Sequence, residues 1–446
     1  MRRRRFRTHS GCEVGALMKG LSYLGQVRHI QWYIAVLATA LSLCFTFVLY
    51  AVIADSHHAV LDPDEHGPLG YGLWKLHRLA FYPDPTLTAE RGPVYPALIA
   101  GALAITNGWW PYSVQLLQCL LFGATCLLVF YVARSLANRS LAVLAASLCA
   151  VHPLLIWYTS RIWVETVLMF LFTALIASVV YLMQRPTHAR AALTGSIIGL
   201  GVLTKSALAP YLVLTPVLVS LPLGRRARVA HALTIIAVGA LIVMPWILRN
   251  ATAVGTYALT VGRNGFTLHQ GNDFVQDFWK APYSVSRLYP LSVARIRIED
   301  SEAPPHLDAV HERLARDAAR RQRAIEKLEH SPMFFAKKIA YDSILFWTLG
   351  DTPRKSLAIA CLQLPLVALF AVVMVRSIRC SRTTATISTA LILWYYLFHL
   401  PLIALARYSV VLVPSMLALA VRVFEPREQL LQQSRVAAAA PGLAGA

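Results

Sequence analysis

Apolar blocks of about 20 residues alternate along this chain with short polar stretches that carry arginine. A helix needs about that many apolar residues to cross a hydrocarbon core of roughly 30 Å. The pattern therefore predicts an all-α polytopic membrane protein with about ten transmembrane helices, within a range of about 8 to 13. The expected spans are Trp32–Ala54, Ser113–Leu136, Leu141–Ser160, Ile162–Met183, Ala191–Leu203, Leu208–Leu223, Val229–Leu248, Ser356–Ile378, Ile387–Ala404 and Tyr408–Val423. Pro153 falls inside the third, where a kink is expected and neighbouring helices can satisfy the freed backbone groups.

Two longer polar segments interrupt the rhythm. The first, 55–112, contains the apolar run Val94–Ile105, which as a helix covers only about 18 Å and is too short to cross. It reads as a juxtamembrane or re-entrant helix, with Trp109, Trp110 and Tyr112 as interfacial aromatics. The second, 249–355, places Gly262, Gly265 and Gly271 in an expected loop. A charged run from His306 to His330 follows, in which Leu307, Leu314, Ile325 and Leu328 make a thin apolar stripe. That run fits a solvated helix on the membrane face, and Met333–Leu349, with Lys337, Lys338 and Asp342, reads as interfacial. The chain thus divides into a basic N-terminal segment (1–31), an N-terminal transmembrane module (32–248), an external loop with interfacial helices (249–355), C-terminal transmembrane helices (356–424) and a tail (425–446).

Composition agrees: 57% of residues are hydrophobic and 14% charged, where soluble domains carry about a quarter charged. The net charge of +20 raises nucleic acid as a partner. However, the arginines sit in short loops between apolar blocks, as the positive-inside rule describes, so no nucleic-acid partner is expected. The same rule puts the N-terminus in the cytoplasm and both long polar segments outside, in a multi-pass protein of the inner (plasma) membrane. The run Trp32–Ala54 is too long for a signal-peptide core and reads as an uncleaved signal anchor. Cys44, Cys119, Cys126, Cys149 and Cys361 fall in expected apolar spans, and Cys12 and Cys380 in basic, inside-type segments. With no C-x-x-C, neither a disulfide framework nor a thiolate metal site is expected.

Candidate chemistry collects on the external side. Asp62, Asp64, Glu65, Glu90 and Arg91 lie in the first external loop. Glu165 lies near the outer end of the fourth span, Lys205 between the fifth and sixth, Arg249 at the end of the seventh and Arg407 between the ninth and tenth. Each has a plainer reading. Asp62 and Asp64 suit a turn, Glu165 suits a helix N-terminus, and the three cations suit snorkelling to the interface. Charges beside lipid cost several kcal/mol unless paired or wetted, so acids and bases at one depth on different helices point to a shared polar cavity. Such a cavity suits a lipid-linked phosphate: cations hold the phosphate, and an ionised carboxylate accepts the proton of an attacking hydroxyl. A membrane transporter or lipid flippase is the alternative, although transporters place charges nearer the midplane, often in repeated halves.

The ordered motifs resemble those of GT-C glycosyltransferases, especially the lipid A aminoarabinose transferases and the protein O-mannosyltransferases. The resemblance rests on Pro63-Asp64-Glu65 after the first span and Glu90-Arg91-Gly92-Pro93-Val94-Tyr95-Pro96. It continues through His152-Pro153-Leu154 with Glu165, Gly199–Lys205, Pro245–Asn250 leading into Gly271-Asn272-Asp273, and Ala406-Arg407-Tyr408 with Pro414. It implies a GT-C-like fold and transfer of a sugar from a polyprenyl-phosphate-linked donor to a glycan, lipid or protein acceptor, with inversion. Asp64 corresponds to the catalytic aspartate, with Glu65 and Glu165 as further catalytic carboxylates. Glu90, Arg91, Tyr95, Lys205, Arg249 and Arg407 correspond to substrate-binding positions. A divalent cation is left open as a cofactor, and no ligand set for one is visible. His66-Gly67 departs from the family's basic-aromatic pair at that place.

Overall fold

In a computed structural model of the chain the described residues are 26–53, 62, 64–222, 224–261, 264–280, 309–379 and 383–424. The expectations for Cys12, Gly262, Leu307, Cys380 and the tail beyond Arg435 lie outside them. The helices run α1 (Ile30–Ile53), α2 (His66–Leu76), α3 (Val94–Ile105), α4 (Tyr112–Leu136), α5 (Arg139–Ala150), α6 (Pro153–Thr159), α7 (Glu165–Gln184), α8 (His188–Thr204), α9 (Tyr211–Ser220) and α10 (Arg225–Ala253). They continue with α11 (Asn264–Lys280), α12 (Ala309–His330), α13 (Pro332–Thr348), α14 (Pro353–Arg379), α15 (Thr383–His399), α16 (Ala406–Ser409) and α17 (Val413–Ala420). Among the described residues the fold is helical, with one isolated bridge between Ala80 and Leu87.

Among the described residues six helical stretches are long and apolar enough to cross a membrane: Ile30–Leu49, Tyr112–Leu136, Glu165–Gln184, Ala227–Ala253, Pro353–Ile378 and Ala406–Phe424. A seventh is the pair α5 and α6, bent by 52° where Pro153 was expected to kink the span. Ten spans were expected, and the difference has a local cause. The other three expected spans fall on α8 and α15, of 17 residues each, and on the apolar run Ser206–Ser220. At 1.5 Å per residue, 17 residues reach about 25 Å, the lower limit of a crossing. Lys205 stops α8 in an extended conformation, and α15 ends at His399, ahead of the non-helical segment 400–405.

α4 is the hub, packing against α1, α5, α7 and α17, while α7 also contacts α8 and α8 packs along α10. Two buried glutamines on α4 serve the backbone freed between α6 and α7. Gln118 Nε2 donates to the carbonyls of Thr159 and Arg161 at 2.7 and 2.6 Å, and Gln115 Nε2 donates to that of Ser160 at 2.9 Å. Buried backbone groups need such partners, and here they fix where α7 begins.

Gly265 and Gly271 lie within α11, not in a loop. Close packing explains both. A Cβ on Gly265 would fall 1.9 Å from the Asp317 carbonyl oxygen of α12, and one on Gly271 would fall 2.2 Å from that of Leu402. Lys338 and Asp342, expected at an interface, are wholly buried as an i,i+4 pair in α13, and Lys338 also donates to the Leu402 carbonyl at 2.6 Å. With Ala406 N donating to Leu349 O, these contacts hold segment 400–406 against α11 and α13.

Candidate active site

Four charged side chains from four places in the chain meet at one end of the bundle. Arg407, on the short helix α16, is the centre. Its Nε donates to Glu165 Oε1 at 2.7 Å and its Nη2 to Glu165 Oε2 at 3.1 Å, the two-pronged geometry a guanidinium offers a carboxylate. The same Nη2 donates to Asp64 Oδ2. Lys205 Nζ lies 3.9 Å from Glu165 Oε1, so the Glu165 carboxylate is shared by two cations. Asp64, Glu165, Lys205 and Arg407 thus form one cluster.

Local structure explains the convergence. Glu165 is the first residue of α7, where a carboxylate is favoured by the helix dipole; the sequence put it about one turn inside the span. Lys205 follows the last residue of α8 in extended conformation. Arg407 is held because Ser409 Oγ donates to Gln363 Oε1 of α14 at 2.8 Å and Ala406 is tied to Leu349. Asp64 sits just before α2, and Arg91 Nη2 donates to its backbone carbonyl at 3.1 Å. A Cβ on Gly92 would fall 2.0 Å from the Leu203 carbonyl oxygen, so the loop bearing Arg91 lies directly on the end of α8 beside Lys205.

The remaining sequence candidates take other places. Arg249 braces the loop between α2 and α3: its Nη1 donates to the Thr88 carbonyl at 2.8 Å and to Asn250 Oδ1 at 3.0 Å. Tyr95 is 1% exposed, packs edge-on against His66 and donates its hydroxyl to Gln118, so it stands behind the cluster. Glu90 is half-buried and its backbone N–H donates to Thr88 Oγ1 at 3.2 Å. Glu65 is exposed and held in the left-handed region at φ 56°, a conformation that costs a non-glycine residue free energy.

Residues not singled out in the sequence also belong. Trp163 lies between two guanidinium groups, Arg407 at 4.5 Å and Arg161 at 5.1 Å from its ring centroid. Tyr408 stands under the Lys205 ammonium at 4.2 Å and packs on the buried His399 ring. Such cation–aromatic contacts add attraction without taking up the cation's hydrogen-bond donors. The repeated neighbourhood of arginine and tryptophan in Trp157–Trp163 was the available signal.

Asp62 caps α2, accepting from His66 N at 2.9 Å and Gly67 N at 2.6 Å, so the turn reading holds for it. Burial pushes its carboxyl up to about 6 against those two hydrogen bonds, with the Asp64 and Glu65 charges adding to the rise. Asp64 goes the other way. Burial alone would raise it, but the charge and hydrogen bond of Arg407 overcome this, helped by His66 and Arg91, and hold it well below the usual carboxylate range. Lys205 is pushed down to about 8 by burial, with Glu165 opposing the shift. Beside Asp62, Glu65, Gly67, Tyr71, Tyr82 and Trp110 enclose a cavity of about 300 Å³. Trp110, expected at the interface, is part of this wall. Among the described residues no three His, Cys, Asp or Glu side chains converge as metal ligands, and the guanidinium of Arg407 fills the place between the two carboxylates.

Residues 90–248 match the family described as dolichyl-phosphate-mannose-protein mannosyltransferase. The fold is similar to that of the oligosaccharyltransferase of Archaeoglobus fulgidus in its apo form, at 14% identity and a TM-score of 0.52, covering 92% of this chain and 52% of that one. The archaeal oligosaccharyltransferase AglB of the same organism, in complex with an inhibitory peptide and a dolichol-phosphate, aligns at 15% identity and a TM-score of 0.49, covering 85% of this chain and 47% of that one. This chain therefore spans about half the length of the solved structures it matches. No curated protein matches it. The chain resembles GT-C glycosyltransferases both in a stretch of sequence and in a fold that, among the described residues, is built of helices of which several are long and apolar enough to span a membrane.

Proposed function

We propose that this protein is an integral-membrane glycosyltransferase that moves a sugar from a polyprenyl-phosphate-linked donor to a glycan, lipid or protein acceptor at the external face of the plasma membrane. The observation that carries the reading is the Asp64–Arg407–Glu165–Lys205 cluster at one end of an apolar bundle. The family match over residues 90–248 supports a lipid-phosphate donor, and the arginine-rich short loops support an external site.

The chemistry follows from the charges. Asp64 stays ionised at neutral pH because Arg407 faces it, so it is ready to accept a proton. In the reaction the acceptor hydroxyl gives its proton to Asp64, and the acceptor oxygen bonds to the anomeric carbon. The bond from that carbon to the phosphate oxygen breaks, and polyprenyl phosphate leaves with the bonding electrons. One displacement inverts the anomeric centre. Lys205 and Arg91 are the donor-phosphate cations of this proposal and oppose the charge that grows on the leaving group. Arg407 positions Asp64 and Glu165 through its two-pronged contact.

Mass spectrometry of lipids copurifying with the detergent-solubilised protein tests this. A polyprenyl-phosphate mass is expected in the native protein and reduced in Lys205→Ala and Arg91→Ala. No polyprenyl species in native protein after incubation with an added polyprenyl-phosphate sugar would overturn the reading.

A further inference from the structure

The cavity beside Asp62 is built from aromatic rings and carboxylates and lies outside the cation cluster. Tyr71 joins two of its walls, with its ring centroid 6.0 Å from Tyr82 and 5.7 Å from Trp110. The wall on the Trp110 side depends on Gly67: a Cβ there would meet the Trp110 ring at 2.5 Å and Asp62 Oδ2 at 2.8 Å. Tyr82 is 46% exposed and Glu65 is exposed, so the mouth is open to water. We propose that this cavity is the acceptor subsite of the transferase described above and that it takes the ring of a neutral sugar; the acceptor role rests on that function.

Three features favour this ligand. Aromatic faces carry partial negative charge and receive the slightly positive C–H face of a sugar ring. Carboxylate oxygens accept hydrogen bonds, and a sugar presents hydroxyl donors on every side. Two carboxylates, with no lysine or arginine among the described lining residues, repel a phosphate or another anionic group. The volume of about 300 Å³ is at the small end for a ligand site and suits one ring.

Position assigns the acceptor role. Asp62 and Glu65 line the cavity, and Asp64 lies between them in the chain. The Asp64 carboxylate faces Arg407 and, beyond it, Glu165 and Lys205. A lipid phosphate has its cations on that side and a sugar has its rings and carboxylates on the other. Asp64 is then the residue both substrates reach, which a single displacement needs.

The test uses the full chain in a detergent without a sugar headgroup, lauryldimethylamine oxide. Saturation-transfer NMR is recorded with methyl glycosides of glucose, galactose, mannose and N-acetylglucosamine. At least one should receive saturation on its ring protons. Tyr82→Ala, which removes an exposed side chain and should fold normally, should weaken that binding by about tenfold or more. Lys205→Ala, on the side of the cations, should leave it intact. No binding by any glycoside, or binding unchanged in a Tyr82→Ala/Glu65→Gln double variant, overturns the subsite. Displacement of the glycoside by inorganic phosphate overturns the neutral-ligand assignment. Glycoside binding lost in Tyr82→Ala while sugar transfer to sugar acceptors, with release of polyprenyl phosphate, continues at the native rate overturns the acceptor role alone. Intact glycoside binding in a protein that never binds polyprenyl phosphate defeats the transferase reading and, with it, the acceptor role, leaving a sugar site.

Discussion

Two of the charge groups among the described residues, the Lys338–Asp342 pair and the Arg407 cluster, are built differently. In α13, Lys338 and Asp342 have side chains 0% and 1% exposed, and Lys338 spends its donors on Asp342 and the Leu402 carbonyl. At the bundle end, Arg407, Asp64 and Lys205 keep 20%, 22% and 26% of their side chains open, and only Glu165 is sealed. The first group is closed by short-range pairing within one helix. The second joins four distant segments and leaves its cations reachable. A sealed pair has nothing to offer a ligand and belongs to the fold, whereas an open cluster whose cations remain partly exposed suits a phosphate ligand.

Breaking each group should separate the two roles. The largest effect is expected at Asp64: Asp64→Asn should lower turnover by about 10²–10⁴-fold while leaving copurifying lipid unchanged. Retained turnover would remove Asp64 as the base. Lys338→Met should do the reverse. It strands Asp342 in the interior and should cost about 3–5 kcal/mol of stability, with most of that recovered in Lys338→Met/Asp342→Leu. Thermal or denaturant unfolding in detergent reads both, and a double variant no better than the single would show that the pair is more than structural.

A smaller effect sharpens the open side. Lys205 is held at about 8, so it loses its charge as pH rises through that value. Donor affinity should fall above pH 8 by about tenfold, and Lys205→Arg should keep it flat over the same range. A pH-independent donor affinity in the native protein would take Lys205 out of the phosphate contact. The smallest effect is expected at Asp62, whose carboxyl is pushed up to about 6 in the folded protein. The folded form therefore binds the proton more tightly than the unfolded chain, and this contribution to stability is lost as pH rises from about 4 to about 6. Asp62→Asn should flatten that slope, moving the melting temperature by a few degrees at most.

The membrane class and the convergence of Asp64, Glu165, Lys205 and Arg407 were legible in the sequence because both depend on coarse quantities. Block length reports spanning, and arginine bias reports side, so acids and cations assigned to one depth turn out to touch. Finer placement was not legible. Arg249 shares the same side, yet its register turns it toward Thr88 and not toward the cluster. Gly265 and Gly271 suggested a loop by local propensity, but packing against Asp317 and Leu402 decides, and a helix keeps them. Six or seven of the ten expected spans coincide with crossing-length helices among the described residues, and at the others hydropathy does not register the breaks at Lys205 and His399.

Gly92 carries a last consequence. Its contact with the Leu203 carbonyl means that the loop before α3 and the end of α8 are fitted to each other to within the size of a methyl group. Two stretches more than 100 residues apart are therefore one part, as far as exchange between proteins is concerned. A first loop grafted from a related protein would have to travel with its own version of residues 199–205. Without them the graft would lift away from the bundle and carry Arg91 and the backbone of Asp64 with it.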